Sequence, residues 1–76
     1  SRTSTRHRGQ GIARHLLNHL LNDARAHGFK RVSLETGPQP FFEPARNLYF
    51  QHGFVECGPF ADYGLDPYSF FMTRPL

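Results

Sequence analysis

Apolar residues recur at helical spacing from Ile12 onward. Ala13, Leu16, Leu17, Leu20, Leu21 and Ala24 fall on one side, with Arg14, Asn18, Asn22 and Arg25 on the other. The pattern predicts an amphipathic helix that stops at Gly28, directly after His27, where a left-handed cap normally sits. Residues 29–36 then alternate apolar Val32 and Leu34 with Ser33 and Glu35, the period of a short strand with one face against the helix. Three prolines and a glycine in residues 37–44 forbid regular structure until Pro44 begins a second helix in its first turn. That helix is expected over residues 43–52, with Ala45, Leu48 and Tyr49 as its apolar stripe and Gly53 as its stop. Residues 54–57 and 69–73 read as two further strands, separated by a loop rich in glycine, proline and aromatics. The order helix, strand, helix, strand, strand predicts a mixed αβ (α+β) unit.

Size changes this picture. A chain of 76 residues buries only about 60% of the surface its unfolded form exposes, and domains this small normally carry a staple. Cys57 is the one cysteine, so no internal disulfide forms. The remaining routes are self-association or a missing piece of chain, and a first residue of Ser1 with Met72 as the only methionine fits a truncated or processed chain. No stretch reads as a signal sequence or membrane span, so a soluble, cytoplasmic protein without membrane contact is expected. Charge is lopsided: residues 1–31 hold seven Arg or Lys against one acid, and residues 32–76 hold two against five. Such a front suits nucleic acid, an acidic membrane surface or a phosphorylated ligand, or is simply a solvated helix face.

The segment Arg6, His7, Arg8, Gly9, Gln10, Gly11, Ile12, Ala13 narrows these choices. The first turn of a helix leaves backbone N–H groups without partners at the positive end of the helix dipole, and glycine lets a phosphate approach them closely. If the helix opens at this glycine turn, residues 8–13 form an anion site, with Arg6, Arg8 and Arg14 adding formal charge. Ordinary capping is the competing reading. A Walker loop is excluded because the Lys-Ser/Thr pair is absent, and a dinucleotide fingerprint because the third glycine and following acid are absent.

These residues resemble the GNAT superfamily of N-acetyltransferases, whose signature is Arg or Gln, two residues, Gly, one residue, Gly or Ala, opening a long helix. Arg6, Gly9 and Gly11 match it, and Ala45, Leu48, Tyr49, Gly53 and Phe54 look like the family's A-x-x-L-Y-x-x-x-G-F block. The resemblance covers the chain from about residue 5 to its end. It implies the second half of an acyl-CoA N-acyltransferase fold with the N-terminal strands missing: one partial domain, residues 1–76, with a basic arm at 1–8 and an acetyl-CoA-binding half at 9–76. The implied activity is acetyl transfer from acetyl-CoA, as co-substrate, to a small-molecule amine. A chain lacking half its sheet is expected to be inactive without a completing partner or second copy. Seven residues before Tyr49, many relatives carry an asparagine that contacts the cofactor; Phe42 stands here.

The resemblance, which matches at Arg6, Gly9 and Gly11, and the anion-site reading of the helix start together make Arg6, Arg8, Gly9, Gln10, Gly11, Ile12, Ala13 and Arg14 the candidate cofactor contacts. The resemblance makes Tyr49 the candidate general acid, since a phenol is protonated at neutral pH and a departing thiolate takes its proton; the competing reading is a core aromatic on the helix stripe. Glu35, near the expected cleft, is the candidate base acting through water, or else a solvated carboxylate paired with an arginine. His15 and His19 sit four apart but lack a third ligand, so no metal is expected. His27 and His52 suit the helix C-terminal dipole. Cys57 reads as packing, and Phe41, Phe42, Phe60, Tyr63 and Tyr68 as either an acceptor pocket or a cover for the core. Two alternatives stand beside the enzyme: a small basic nucleic-acid-binding module, disfavoured because glycines occupy the turn where readout residues belong, and an inactive remnant kept for protein contact.

Overall fold

A computed structural model describes residues 5–60 and 66–76, with the backbone alone for residues 5–8. The elements run α1 (Thr5–Ala26), β1 (Arg31–Thr36), a 3-10 turn (Pro40–Phe42), α2 (Glu43–Gln51), β2 (Val55–Cys57) and β3 (Phe70–Pro75). This is the mixed αβ order expected from the hydrophobic pattern. Contacts divide the chain into a helical unit ending at Lys30, which includes Leu76, and a sheet unit spanning Arg31–Pro75.

In the helical unit, α1 starts well before the expected glycine turn. Thr5 to Arg8 are helical rather than an arm, and Gly9 and Gly11 lie inside the helix. The physical reason is propagation. Each added residue closes one more hydrogen bond, no proline interrupts residues 5–11, and a glycine costs only about 1 kcal/mol against alanine. The apolar side is also narrower than the periodicity suggested. Leu17 and Leu21 are buried, whereas Ile12, Leu16 and Leu20 stay 63%, 61% and 51% exposed.

The helix stops as its sequence predicts. Gly28 takes φ +84°, its N–H donates to Arg25 O at 3.1 Å, and Phe29 N–H donates to Ala24 O at 3.1 Å. Those paired bonds define a Schellman cap. The His27 ring joins in, with Nδ1 2.8 Å from Asp23 O; a carbonyl only accepts, so Nδ1 carries the proton.

In the sheet unit, β3 is the central strand, antiparallel to β1 on one side and β2 on the other. The register pairs Leu34 with Met72 and Glu35 with Phe71, while Cys57 faces Phe71 from the far side. Cross-strand partners share a face, so Leu34, Met72 and Glu56 lie on one side and Glu35, Phe71 and Cys57 on the other. Burial in β1 alternates as expected, with Val32 and Leu34 half-buried and Ser33 and Glu35 exposed. Met72 and Phe54 are the most completely buried side chains described. On the more polar face, Thr73 Oγ1 lies 2.9 Å from Ser33 Oγ and accepts from the Arg31 guanidinium at 3.0 Å.

The proline-rich connection is more regular than its composition implied. Pro40 opens the 3-10 turn, and α2 begins at Glu43 with Pro44 in its first turn, where a missing N–H costs no hydrogen bond. The last strand runs Phe70–Pro75 rather than over residues 69–73, and Leu76 N–H extends the ladder to Lys30 O at 2.9 Å. Proline at its end did not cut the strand short, because a final residue needs no donor there.

Candidate functional site

The candidate phosphate segment lies on α1, and the structure alters its chemistry. The described chain is already helical at Thr5, so the first turn of α1 does not open at Gly9. The N–H groups expected to hold an anion, those of Gly9, Gln10, Gly11, Ile12 and Ala13, fall within the helical ladder. The open amide turn at residues 8–13 is therefore not formed. Gly9 and Gly11 have nothing within 4 Å of where a Cβ would stand, and Gln10, Ile12 and Arg14 are exposed while Ala13 is half-buried. Gly11, Ile12, His15 and Leu16 line a shallow, open, apolar depression on the helix surface. The side chains of Arg6 and Arg8 lie outside the described residues, as does Tyr63.

The two candidate proton-transfer residues both belong to the sheet unit. Glu35 sits one residue before the end of β1, exposed, its Oε2 accepting a hydrogen bond from the Ser69 hydroxyl. The same hydroxyl lies 3.1 Å from Asp66 Oδ2, and Asp66 Oδ1 accepts from Tyr68 N–H at 2.8 Å. Ser69 carries one proton, so it serves one of the two carboxylates at a time. The expected arginine partner of Glu35 does not appear among its described bonds; serine supplies the contact.

Tyr49 lies half-buried on α2, packed edge to face against Phe54 with ring centroids 5.6 Å apart. Its place in the block is fixed by the helix stop. Gly53 takes φ +86°, Gly53 N–H donates to Phe50 O at 3.2 Å, and Phe54 N–H donates to Tyr49 O at 3.0 Å. This is a second Schellman cap, and the ring pair is the apolar contact such caps carry. His52 repeats the arrangement of His27, with Nδ1 2.8 Å from Leu48 O. The tripeptide His-Gly-Phe thus closes both helices, which agrees with the placement of both histidines at C-terminal dipoles.

Arg46 was not singled out by the sequence reading. Its Nη1 donates to Gly37 O and, at 3.0 Å, to Gln39 O, while its guanidinium carbon sits 5.4 Å from the Phe70 ring centroid. One arginine therefore fastens the loop after β1, the start of β3 and helix α2. The available signal was a cation three residues before Tyr49, following a loop whose prolines supply no N–H donor of their own.

His15 and His19 are exposed on α1, and among the described residues no group of three His, Cys, Asp or Glu is placed to hold a metal ion. Cys57 is free and half-buried. Phe41 and Tyr68 are strongly exposed, and Phe60 packs on Phe71 at 5.2 Å, so one loop aromatic covers the core and two do not. No helix among the described residues is long and apolar enough to cross a membrane.

Comparison with known proteins bears on both segments. The family model of the acetyltransferase (GNAT) family matches residues 2–54, from the glycine segment through Tyr49 to Phe54. An uncharacterised N-acetyltransferase of Bacillus subtilis, YsnE, is 52% identical over 99% of this chain and 50% of its own length. One from Escherichia coli, YedL, is 44% identical over 99% of this chain and 47% of its own. An IAA acetyltransferase of Azospirillum brasilense is 45% identical over 91% of this chain. A solved structure described as a putative acyl-CoA N-acyltransferase from Klebsiella pneumoniae superposes with a TM-score of 0.81 at 37% identity, covering 96% of this chain and 49% of that one. The chain spans about half the length of the curated relatives it matches. By the family match and by these identities, it belongs to the acetyltransferase (GNAT) family.

Proposed function

We propose that this chain is the acetyl-CoA-binding part of an N-acetyltransferase that acetylates a small-molecule amine, and that it needs a completing half or a second copy for turnover. One observation carries the reading: the family match runs through both the glycine segment and the Tyr49 block, in order and in one stretch. Acetyl-CoA would bring an acetyl group activated as a thioester. The residues that would hold its phosphates are Arg6, Arg8, Gly9, Gln10, Gly11, Ile12, Ala13 and Arg14.

Those residues fit a phosphate group on one condition. Successive helical residues turn by about 100°, so Gly9 and Gly11 point about 200° apart and offer no single smooth face on an intact helix. Their spacing suits a turn. Two glycines also weaken the helix locally by about 1 kcal/mol each against alanine, so residues 5–8 are the part most easily released. With those residues unwound, the amides at Gly9, Gln10 and Gly11 become the free N–H groups of a shortened helix.

In the sheet unit, the Tyr49 hydroxyl is the group able to give a proton to a leaving sulfur. The Glu35 carboxylate is the group able to take one from an amine through water. A cytoplasmic location accompanies this reading.

Calorimetric titration with coenzyme A tests it, on this chain and on a variant carrying Arg8→Ala, Gly9→Ala and Gly11→Ala. The native chain should bind with loss of helical circular dichroism, and the variant should not bind. Identical isotherms would place the phosphates elsewhere.

A further inference from the structure

We infer that Arg46 is a positioning residue that couples the strand carrying Glu35 to the helix carrying Tyr49, an inference that rests on the acetyltransferase reading for its catalytic meaning. The two candidate proton carriers stand on separate elements, β1 and α2. Between them runs a connection whose two prolines, Pro38 and Pro40, give it no N–H at those positions with which to pair. The 3-10 turn ties its second half through Phe42 N–H to Gln39 O and Glu43 N–H to Pro40 O, which leaves the Gly37 end to be fixed by other means. Arg46 supplies that fixation from α2 by giving both protons of Nη1 to carbonyls, those of Gly37 and Gln39. Gly37 directly follows Thr36, the last residue of β1, so the clamp sits two residues from Glu35.

Three further contacts make the clamp specific to an arginine. Phe70, beneath the guanidinium, is the cross-strand partner of Thr36, so the stacked ring belongs to the same end of the sheet. Phe50 packs on Phe70 as well, with centroids 6.4 Å apart, which holds the ring in place. Gly37 is buried, and a Cβ there would fall 2.5 Å from the Phe42 ring, so the loop folds tightly beside the clamp. A planar guanidinium serves two carbonyls and a ring face together; a lysine ammonium is a point charge and does not.

The consequence concerns the reaction more than the fold. The described partners of Arg46 are two loop carbonyls and the half-buried Phe70 ring, while the most completely buried side chains are Phe54 and Met72, so loosening the clamp leaves the core packed. It frees Glu35 relative to Tyr49, and misplacement of reacting groups by a fraction of an ångström lowers turnover without weakening substrate binding.

Arg46→Lys, Arg46→Ala and Phe70→Leu test the coupling in the 76-residue chain. Amide hydrogen exchange is read at Phe42 and Glu43, whose N–H groups donate to Gln39 O and Pro40 O in the clamped loop, and, as a reference, along the β1–β3 ladder. Arg46→Lys should exchange about tenfold faster in the loop while the ladder stays protected. Millimolar guanidinium should restore protection in Arg46→Ala. Where acetyl-CoA consumption is measurable with a panel of primary amines, kcat should fall about tenfold with the KM for acetyl-CoA held within about twofold.

Loop exchange unchanged in both arginine variants overturns the coupling. So does an equal loss of protection in loop and ladder, which marks a general structural role. Absence of coenzyme A binding by the native chain retires the acetyltransferase reading instead, and exchange with guanidinium rescue still decides whether the clamp exists.

Discussion

Tyr49 and Phe54 are the two ends of a single helix stop: the Tyr49 carbonyl accepts the Phe54 N–H at 3.0 Å, and their rings meet edge to face at 5.6 Å. The spacing of the Leu-Tyr and Gly-Phe pairs in this block thus follows from the geometry of a Schellman cap, in which the residue after the glycine packs on the third-last residue of the helix. The cap uses the Tyr49 backbone and ring and leaves its hydroxyl for other work.

Tyr49→Phe and Phe54→Ala should therefore part company. Removing the hydroxyl keeps the ring contact, so urea denaturation of Tyr49→Phe should match the native chain within about 0.5 kcal/mol, while acetyl transfer in a completed enzyme falls. Phe54 is 1% exposed, and its truncation should cost about 3–5 kcal/mol, enough to unfold a domain this small. Equal destabilisation by both would mean that the hydroxyl holds the fold.

The two capping glycines make a second comparison. Gly28 and Gly53 share nearly the same left-handed φ, +84° and +86°. A Cβ at Gly28 meets nothing within 4 Å, whereas one at Gly53 stands 3.1 Å from Arg74 Nε. Alanine at Gly28 should cost only the left-handed strain, about 1–2 kcal/mol. At Gly53 it should cost more, because Arg74 must also move. Denaturation midpoints in the reverse order would show that Arg74 yields freely.

Much of this was legible in the chain, because the signals were local. The stripe through Leu17 and Leu21, the glycines after His27 and His52, and the alternation of Val32 and Leu34 each depend on neighbours within a few residues. The start of α1 was not legible. It turned on whether two glycines outweigh the gain from continuing a helix, a balance of about 1 kcal/mol per residue. The Arg46 clamp was hidden for a different reason. Its partners are backbone carbonyls at Gly37 and Gln39 and a ring at Phe70, 24 positions away in sequence, and only the β1–β3 register brings Phe70 there.

Glu35 separates chemistry from packing in another way. It is exposed and holds the Ser69 hydroxyl, which also reaches Asp66. Glu35→Gln keeps an oxygen for that hydroxyl, so stability should change by less than about 0.5 kcal/mol. A water-relayed base cannot tolerate the change, and transfer to an amine should fall by about a hundredfold. Ser69→Ala removes the tie but leaves the carboxylate, so its rate should fall far less. Rates for Glu35→Gln close to native would assign proton removal to another group.

Gly9 and Gly11 set stability against ligand binding within one helix. Neither glycine has a positive φ, and neither would crowd a neighbour if it gained a Cβ. Gly9→Ala and Gly11→Ala should each stabilise α1 by about 0.5–1 kcal/mol and raise its helical circular dichroism. If the phosphates require residues 5–8 to unwind, the same changes weaken coenzyme A binding twice over, by resisting that release and by placing a methyl group in the way. The expected result is a more helical chain with poorer affinity in calorimetry. Alanine variants that are more helical and bind as tightly as the native chain would mean that the ligand meets an intact helix, and that the glycines have no part in holding it.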